Sequence, residues 1–295
     1  PRLRLLERGV AQGPRRPHVD VDFDPASIAN SACAVVPRGV GRDYQPPPCN
    51  GPGSDPRVDP LLPCHILHQF WHTREALMDE ARHNRHWVGE PNYSTMPVRW
   101  IPGGGFLGNS YLVGDVLVDA GVLPTAIERY RDAIREVVLT HCHYDHIAHL
   151  NEIARMCNAR VSIHREDAPG LSSEAASLSL HFGARAPMRP PDRILADGDR
   201  IGGLLVIHTP GHTPGSICLL HEGECALISG DTVFADGGFG RFDFPGGSSA
   251  DLQQSIERLA KLDVEGLYPG HGSPVERGGK RHIMAARELL RASYD

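Results

Sequence analysis

The chain has 295 residues, 40% hydrophobic and 22% charged, with a formal net charge of −6. That mix suits a globular protein of one large domain or two smaller ones, and its acidic balance gives a nucleic-acid partner no support. No apolar run approaches the ~20 residues of a membrane span.

The first 64 residues hold 12 of the 25 prolines, including Pro46-Pro47-Pro48. Such a stretch is predicted to be an extended arm, because proline breaks helices and central strands. Residues 65–87 are predicted helical, with Ile66, Leu67, Phe70, Trp71, Leu77 and Met78 at helical spacing. That helix could line a pocket, cover the core or form a homodimer contact. Cys64, His65, His68 and His72 form a His-rich patch, read as a polar helix face or interface ahead of a minor metal site. Residues 1–95 are therefore assigned to an arm plus helix, and 96–295 to a catalytic domain. The start, Pro1-Arg2-Leu3-Arg4, has no apolar signal core, and the seven cysteines lack framework spacing. A reduced, cytoplasmic protein is the expectation, with a Cys49–Cys64 pair left open.

From residue 96 the texture changes. Strands are predicted at 98–101, 110–113 and 116–118, punctuated by Gly103-Gly104-Gly105 and Gly114-Asp115. A helix over 124–134 precedes a strand that ends at His141, and a second helix runs from Asp145 to Cys157. Further strands fall near 161–163 and at 203–208, 216–220, 225–229 and 266–268. Residues 166–192 are irregular and suit a lid or pocket wall. A glycine-rich loop spans 237–247, and helices cover 250–262 and 279–293. Hairpins mixed with αβ units suggest layered sheets with outer helices.

The densest chemistry is Thr140-His141-Cys142-His143-Tyr144-Asp145-His146, directly after an apolar run. Three imidazoles and a carboxylate at a strand end aim at one point, as a divalent metal site requires. Three later motifs repeat the pattern: Pro210-Gly211-His212, Gly230-Asp231 and Pro269-Gly270-His271-Gly272. Together they offer five His and two Asp, about what two ions need if one carboxylate bridges them.

In their order and spacing these motifs resemble the metallo-β-lactamase-fold hydrolase superfamily over roughly residues 96–275. The resemblance implies an αβ/βα sandwich of two mixed sheets with outer helices, the metals lying at one edge. It places one ion on His141, His143 and His212. The other falls on Asp145, His146 and His271, with Asp231 bridging. Asp119, in Val118-Asp119-Ala120-Gly121, matches the family's early acidic motif and is expected to orient ligand imidazoles. Thr209–Ser216, Gly230-Asp231-Thr232-Val233-Phe234 and Gly240-Arg241-Phe242-Asp243-Phe244-Pro245-Gly246-Gly247 look most like the glyoxalase II-like branch, whose members hydrolyse thioesters. Three departures argue against glutathione thioesters. Ile147-Ala148 follows His146 where a glycine pair is usual, only 24 residues follow His271, and residues 1–95 have no counterpart.

The implied reaction is attack of a metal-bridging hydroxide on a thioester or related ester. The ions lower the pKa of water toward ~7, while Asp145 and Asp231 orient the nucleophile and take its proton. Two divalent ions are expected, zinc first, with iron or manganese as alternatives. Cys142 is expected to point away from the centre as a buried thiol. Tyr144 and Arg241 are candidate substrate contacts, although Arg241 suits a loop salt bridge equally. The substrate is a small-molecule or carrier-protein-bound thioester, and the partners include neither nucleic acid nor membrane. Other readings are a thioesterase/cyclase acting on carrier-bound polyketides, a mononuclear-iron persulfide dioxygenase, a lactonase or phosphodiesterase, and a binding module without catalysis.

Overall fold

The fold is taken from a computed structural model that describes residues 93–184 and 187–293. The proline-rich arm, the 65–87 helix with its His-rich patch, and the Cys49–Cys64 pair lie outside the described residues.

Strands β1 (Arg99–Ile101), β2 (Ser110–Val113) and β3 (Val116–Val118) form an antiparallel meander. The β2–β3 turn uses Gly114 at φ +58, a backbone state that glycine adopts without strain. Parallel pairing then takes over through β4 (Glu136–Val138), β5 (Arg160–His164) and β6 (Arg193–Leu195). Parallel strands need crossovers. Helix α1 (Pro124–Ile127) joins β3 to β4, and α2 (Tyr144–Ile147) with α3 (Leu150–Cys157) joins β4 to β5.

The second sheet runs in the order β11-β10-β9-β8-β7. Its members are β7 (Arg200–Ile201), β8 (Leu204–His208), β9 (Ile217–His221), β10 (Ala226–Gly230) and β11 (Gly266–Pro269). All neighbours are antiparallel except β10 and β11, whose crossover carries α4 (Ser249–Leu259). The Ser248 side chain caps α4 by accepting the Asp251 N–H. Helix α5 (Gly279–Ala292) follows β11 and buries Ile283, Ala286 and Leu290 at i, i+3 and i+7.

Three apolar layers hold this together. Between the sheets, Val113, Val118 and Val138 meet Val206, Leu219 and Ile228. Outside the first sheet, Val137, Val161 and Ile163 pack on Ile147, Leu150 and Ile153 of the helices. Outside the second, Cys218, Leu227 and Leu267 pack on Ile256, Leu259, Ile283 and Leu290. Strands β9 and β10 are buried at every residue, which is why they read as continuous apolar runs. The architecture is the expected αβ/βα sandwich.

Local boundaries differ from expectation in four places. β4 ends at Val138, not His141, because carboxylates capture the backbone beyond it: Thr140 N–H donates to Asp119 and Cys142 N–H to Asp167. The helix predicted from Asp145 to Cys157 breaks at Ala148–His149, where His149 N–H donates to the Ala120 carbonyl. The helix predicted over 124–134 is α1 followed by a 3-10 turn, Glu128–Tyr130. β6 and β7 were not anticipated; two or three residues carry too little periodicity to read.

Candidate metal centre

The carboxyl ends of β3, β4, β10 and β11, with the β8–β9 turn, lie at one edge of the sandwich. Chain direction places them there: β3 and β4 are parallel, as are β10 and β11, and β8 runs with β10. The sheets are tied at this edge by Ile217 N–H donating to the Thr140 carbonyl at 2.9 Å. Past those strand ends stand Asp119, His141 to His146, His212, Asp231 and His271. Glycine backbone lines the site: a Cβ at Gly108 would collide with the His146 ring, and one at Gly270 with Asp231 and His146.

The structure brings all seven expected ligands together. His141, His143 and His212 form one group, Asp145, His146 and His271 another, and Asp231 joins His141 and His146 in a third. In each group the candidate ligand atoms lie within 4.8 Å of one another. His143 Nδ1 is 2.8 Å from His212 Nε2. Asp145 Oδ2 is 3.0 Å from His271 Nε2. Asp231 lies between the two halves, with Oδ1 3.2 Å from His146 Nε2 and Oδ2 3.7 Å from His212 Nε2 and 3.5 Å from His271 Nε2.

Hydrogen bonds at the back of the rings set which nitrogens face inward. Asp119 Oδ2 takes the Thr140 hydroxyl proton at 2.8 Å, so that hydroxyl accepts from His141 Nδ1–H at 3.0 Å. The same carboxylate oxygen accepts from His146 Nδ1–H at 2.8 Å. His212 Nδ1–H donates to the Arg241 carbonyl at 2.6 Å. Each Nε2 of these three rings therefore faces the centre, as a lone pair where the ring is neutral. Among the described residues, His141 Nε2 and both oxygens of Asp231 are buried without a hydrogen-bond partner. Buried bare acceptors facing one another are unfavourable unless a cation sits among them. The donor set fits divalent cations.

Electrostatics agree. Burial, then the neighbouring imidazoles, pushes His141 well below the usual histidine range, and burial with His212 takes His143 down to about 3. Both rings are neutral and keep their lone pairs. Burial opposes charge on His146 too, but Asp231, Asp119 and Asp145 overcome it and hold its pKa well above normal. Burial likewise opposes ionisation of Asp231, yet His271 and His146 keep it well below the carboxylate range. The site calls for positive charge at its middle.

A sequence profile of the metallo-beta-lactamase superfamily matches residues 103–271, more than half of the chain. The chain belongs to the metallo-beta-lactamase superfamily. Among superfamily relatives it is similar to the probable metallo-hydrolase MJ0888 of Methanocaldococcus jannaschii, at 34% identity over 60% of this chain and 93% of that protein. The probable metallo-hydrolase YqgX of Bacillus subtilis is 32% identical over 56% of this chain and 76% of its own length. Among solved structures, the di-iron-bound form of TTHA1623 superposes with a TM-score of 0.55 at 30% identity, covering 60% of this chain and 94% of that one. The B3 metallo-beta-lactamase BLEG-1 gives 0.59 at 27% identity, covering 66% and 99%. The chain is thus a metallo-hydrolase of this superfamily, and its clustered His and Asp residues stand where a divalent metal could bind.

Other residues of this superfamily member fall as follows. Asp119 lies behind the rings at φ +62, reaching His146 directly and His141 through Thr140. Cys142 turns away from the centre into the first outer layer and abuts Gly170, and burial pushes its thiol pKa well up. Tyr144 stacks on Phe182 and lines a cleft of about 320 Å³ with Ala148, His149 and Met188. The Arg241 guanidinium grips Asp243 through two bonds of 2.9 and 2.6 Å and lies over Phe244, whose ring is edge-on to His143. Sequence reading missed Asn109 and Tyr111. Asn109 donates to the carbonyls of Pro269 and Gly272, and Tyr111 to that of Pro269, so the pair buckles the His271 turn in place. Nothing in Asn109's sequence context separates it from a turn residue.

Proposed function

We propose that the chain is a binuclear metal-dependent hydrolase of a thioester or related ester. Its metal half rests on one observation: His141 Nε2 and the Asp231 carboxylate are buried, bare and aimed at one space shared by five imidazoles and two carboxylates. When bound, two divalent ions supply Lewis acidity and acidify water enough for attack near neutral pH. Zinc is the first choice, and the di-iron form of TTHA1623 supports iron as the alternative. His141, His143 and His212 would hold one ion and Asp145, His146 and His271 the other, with Asp231 within reach of both groups.

The chain's own residues do the rest. Asp119 and the Arg241 carbonyl keep the rings in their working tautomers. Asp145 and Asp231 orient the attacking water and accept its proton. Water oxygen bonds to the carbonyl carbon, the carbon–sulfur bond breaks, and the sulfur leaves as a thiol once protonated. The nucleophile is water; Cys142, the thiol beside the ligands, faces the core. Tyr144, on the short helix that carries Asp145 and His146, is the candidate contact for the acyl group or its carrier arm. The thioester assignment is supported by the resemblance of the 209–216, 230–234 and 240–247 loops to the glyoxalase II-like branch. The catalytic domain is assigned to residues 96–295. Cytoplasmic placement is proposed on the seven cysteines' lack of framework spacing. No helix among the described residues is long and apolar enough to cross a membrane.

Metal analysis paired with glutathione, coenzyme A and acyl-carrier thioesters tests the reading. Two metals per chain and turnover of at least one thioester are expected. No turnover on any of the three ends the thioester claim, and a single iron with oxygen uptake ends the hydrolase claim.

A further inference from the structure

Asp119 secures His146 and His141, but the loops carrying His143 and His212 need a support of their own. That support is a second buried carboxylate, Asp167, just past the carboxyl end of β5 and 1% exposed. Asp167 Oδ2 accepts from Cys142 N–H at 2.8 Å and from the Thr213 hydroxyl at 2.8 Å. Oδ1 accepts from Gly215 N–H at 2.6 Å. Cys142 lies between His141 and His143, and Thr213 follows His212. One side chain thus ties together the loops that carry all three imidazoles of the first group, although one loop follows β4 of the first sheet and the other joins β8 to β9 of the second.

The contact is built closely. A Cβ at Gly215 would collide with the Asp167 backbone and carboxylate, so only glycine allows the approach. Thr213 is held in turn: its N–H donates to Ser216 Oγ at 3.1 Å, and the Ser216 hydroxyl returns a proton to Thr213 Oγ1 at 2.7 Å. Three donors meet Asp167, so both of its oxygens must accept. An amide would turn an NH₂ against at least one of them.

We infer that Asp167 is a positioning residue that sets the spacing of His141, His143 and His212, and with it the affinity of the first metal position. This rests on the metal-centre half of the proposed function and is independent of the thioester substrate. The test is Zn²⁺ affinity, measured by competition with a chromophoric chelator. A His271→Ala background removes a ligand from the Asp145, His146 and His271 group and leaves the three-histidine group complete, so the ion retained there reports on it. Adding Asp167→Asn is expected to weaken that ion ~10–100-fold. Thr213→Val removes one of the three bonds and weakens it less, while Thr213→Ser restores it. The same series in the otherwise unaltered chain should lower the zinc kept through dialysis. Wild-type affinity in Asp167→Asn, or a loss of folding stability alone, overturns the assignment. If Asp167→Asn fails to fold, the Thr213 pair decides, and equal zinc binding by the Val and Ser variants overturns it. No substrate is used, so failure of the thioester reading leaves this result standing.

Discussion

At the scale of single residues, the centre is organised by what stands behind the ligands as much as by the ligands. Asp119 shows why. Its carboxylate accepts from Thr140 N–H, the Thr140 hydroxyl and His146 Nδ1–H, and so fixes two imidazoles. Its φ of +62 lies in the left-handed region, which asparagine tolerates at least as well as aspartate. Asp119→Asn therefore keeps the backbone and loses an acceptor where three donors converge. Metal affinity should fall ~10–100-fold while the circular dichroism spectrum is retained, as equilibrium dialysis would show. Unaltered affinity would remove Asp119 from the centre. The ligand residues were legible in the sequence because four strong metal donors crowd into one run after an apolar stretch, and His212, Asp231 and His271 each sit beside glycine. Asn109, Tyr111 and Asp167 were not, because their partners lie far along the chain: 160 residues separate Asn109 from Pro269, and 46 separate Asp167 from Thr213.

At the scale of elements, the sequence was most readable where one element carries one pattern. β2 and β3 occupy the predicted residues because Gly114 and Asp115 mark their turn between the apolar runs Tyr111–Val113 and Val116–Val118. Helices α4 and α5 start and stop within a few residues of expectation because each has one apolar stripe. The break between α2 and α3 was not readable: His149 donates its N–H to Ala120 and pairs its ring nitrogen with the Gly121 carbonyl at 2.8 Å, so tertiary contacts override local propensity. Gly211 supplies a prediction at this scale. It sits at φ +136, and a Cβ there would meet the backbone and side chain of Leu252 on α4 within 3 Å. Gly211→Ala should displace either α4 or the His212 turn. Urea denaturation should show a loss of roughly 1–3 kcal/mol, the range for overpacking and backbone strain. A wild-type midpoint would mean that the turn can yield without consequence.

For the whole molecule, two sheets are pinned at one edge by ligands drawn from both. His141, His143, Asp145 and His146 follow the first sheet; His212, Asp231 and His271 follow the second. Any ion bound among them binds the folded state and not the open chain, so it must stabilise the fold by mass action. Thermal melting after chelation, then with increasing Zn²⁺, should show a midpoint that rises with metal concentration. At 100 times the dissociation constant the gain is about 2.7 kcal/mol. A midpoint indifferent to metal would disconnect the centre from the fold.

The sequence by itself determined the layered αβ class, the seven ligand candidates and their order along the chain. Periodicity, glycine turns and donor chemistry are local properties, written in a few adjacent residues. The family resemblance implied the grouping of the ligands and the place of Asp231; tertiary structure alone supplied the distances between them and showed that Asp167 ties the loops of two sheets. Those facts depend on strand direction and sheet packing, which bring residues more than a hundred positions apart within hydrogen-bonding distance.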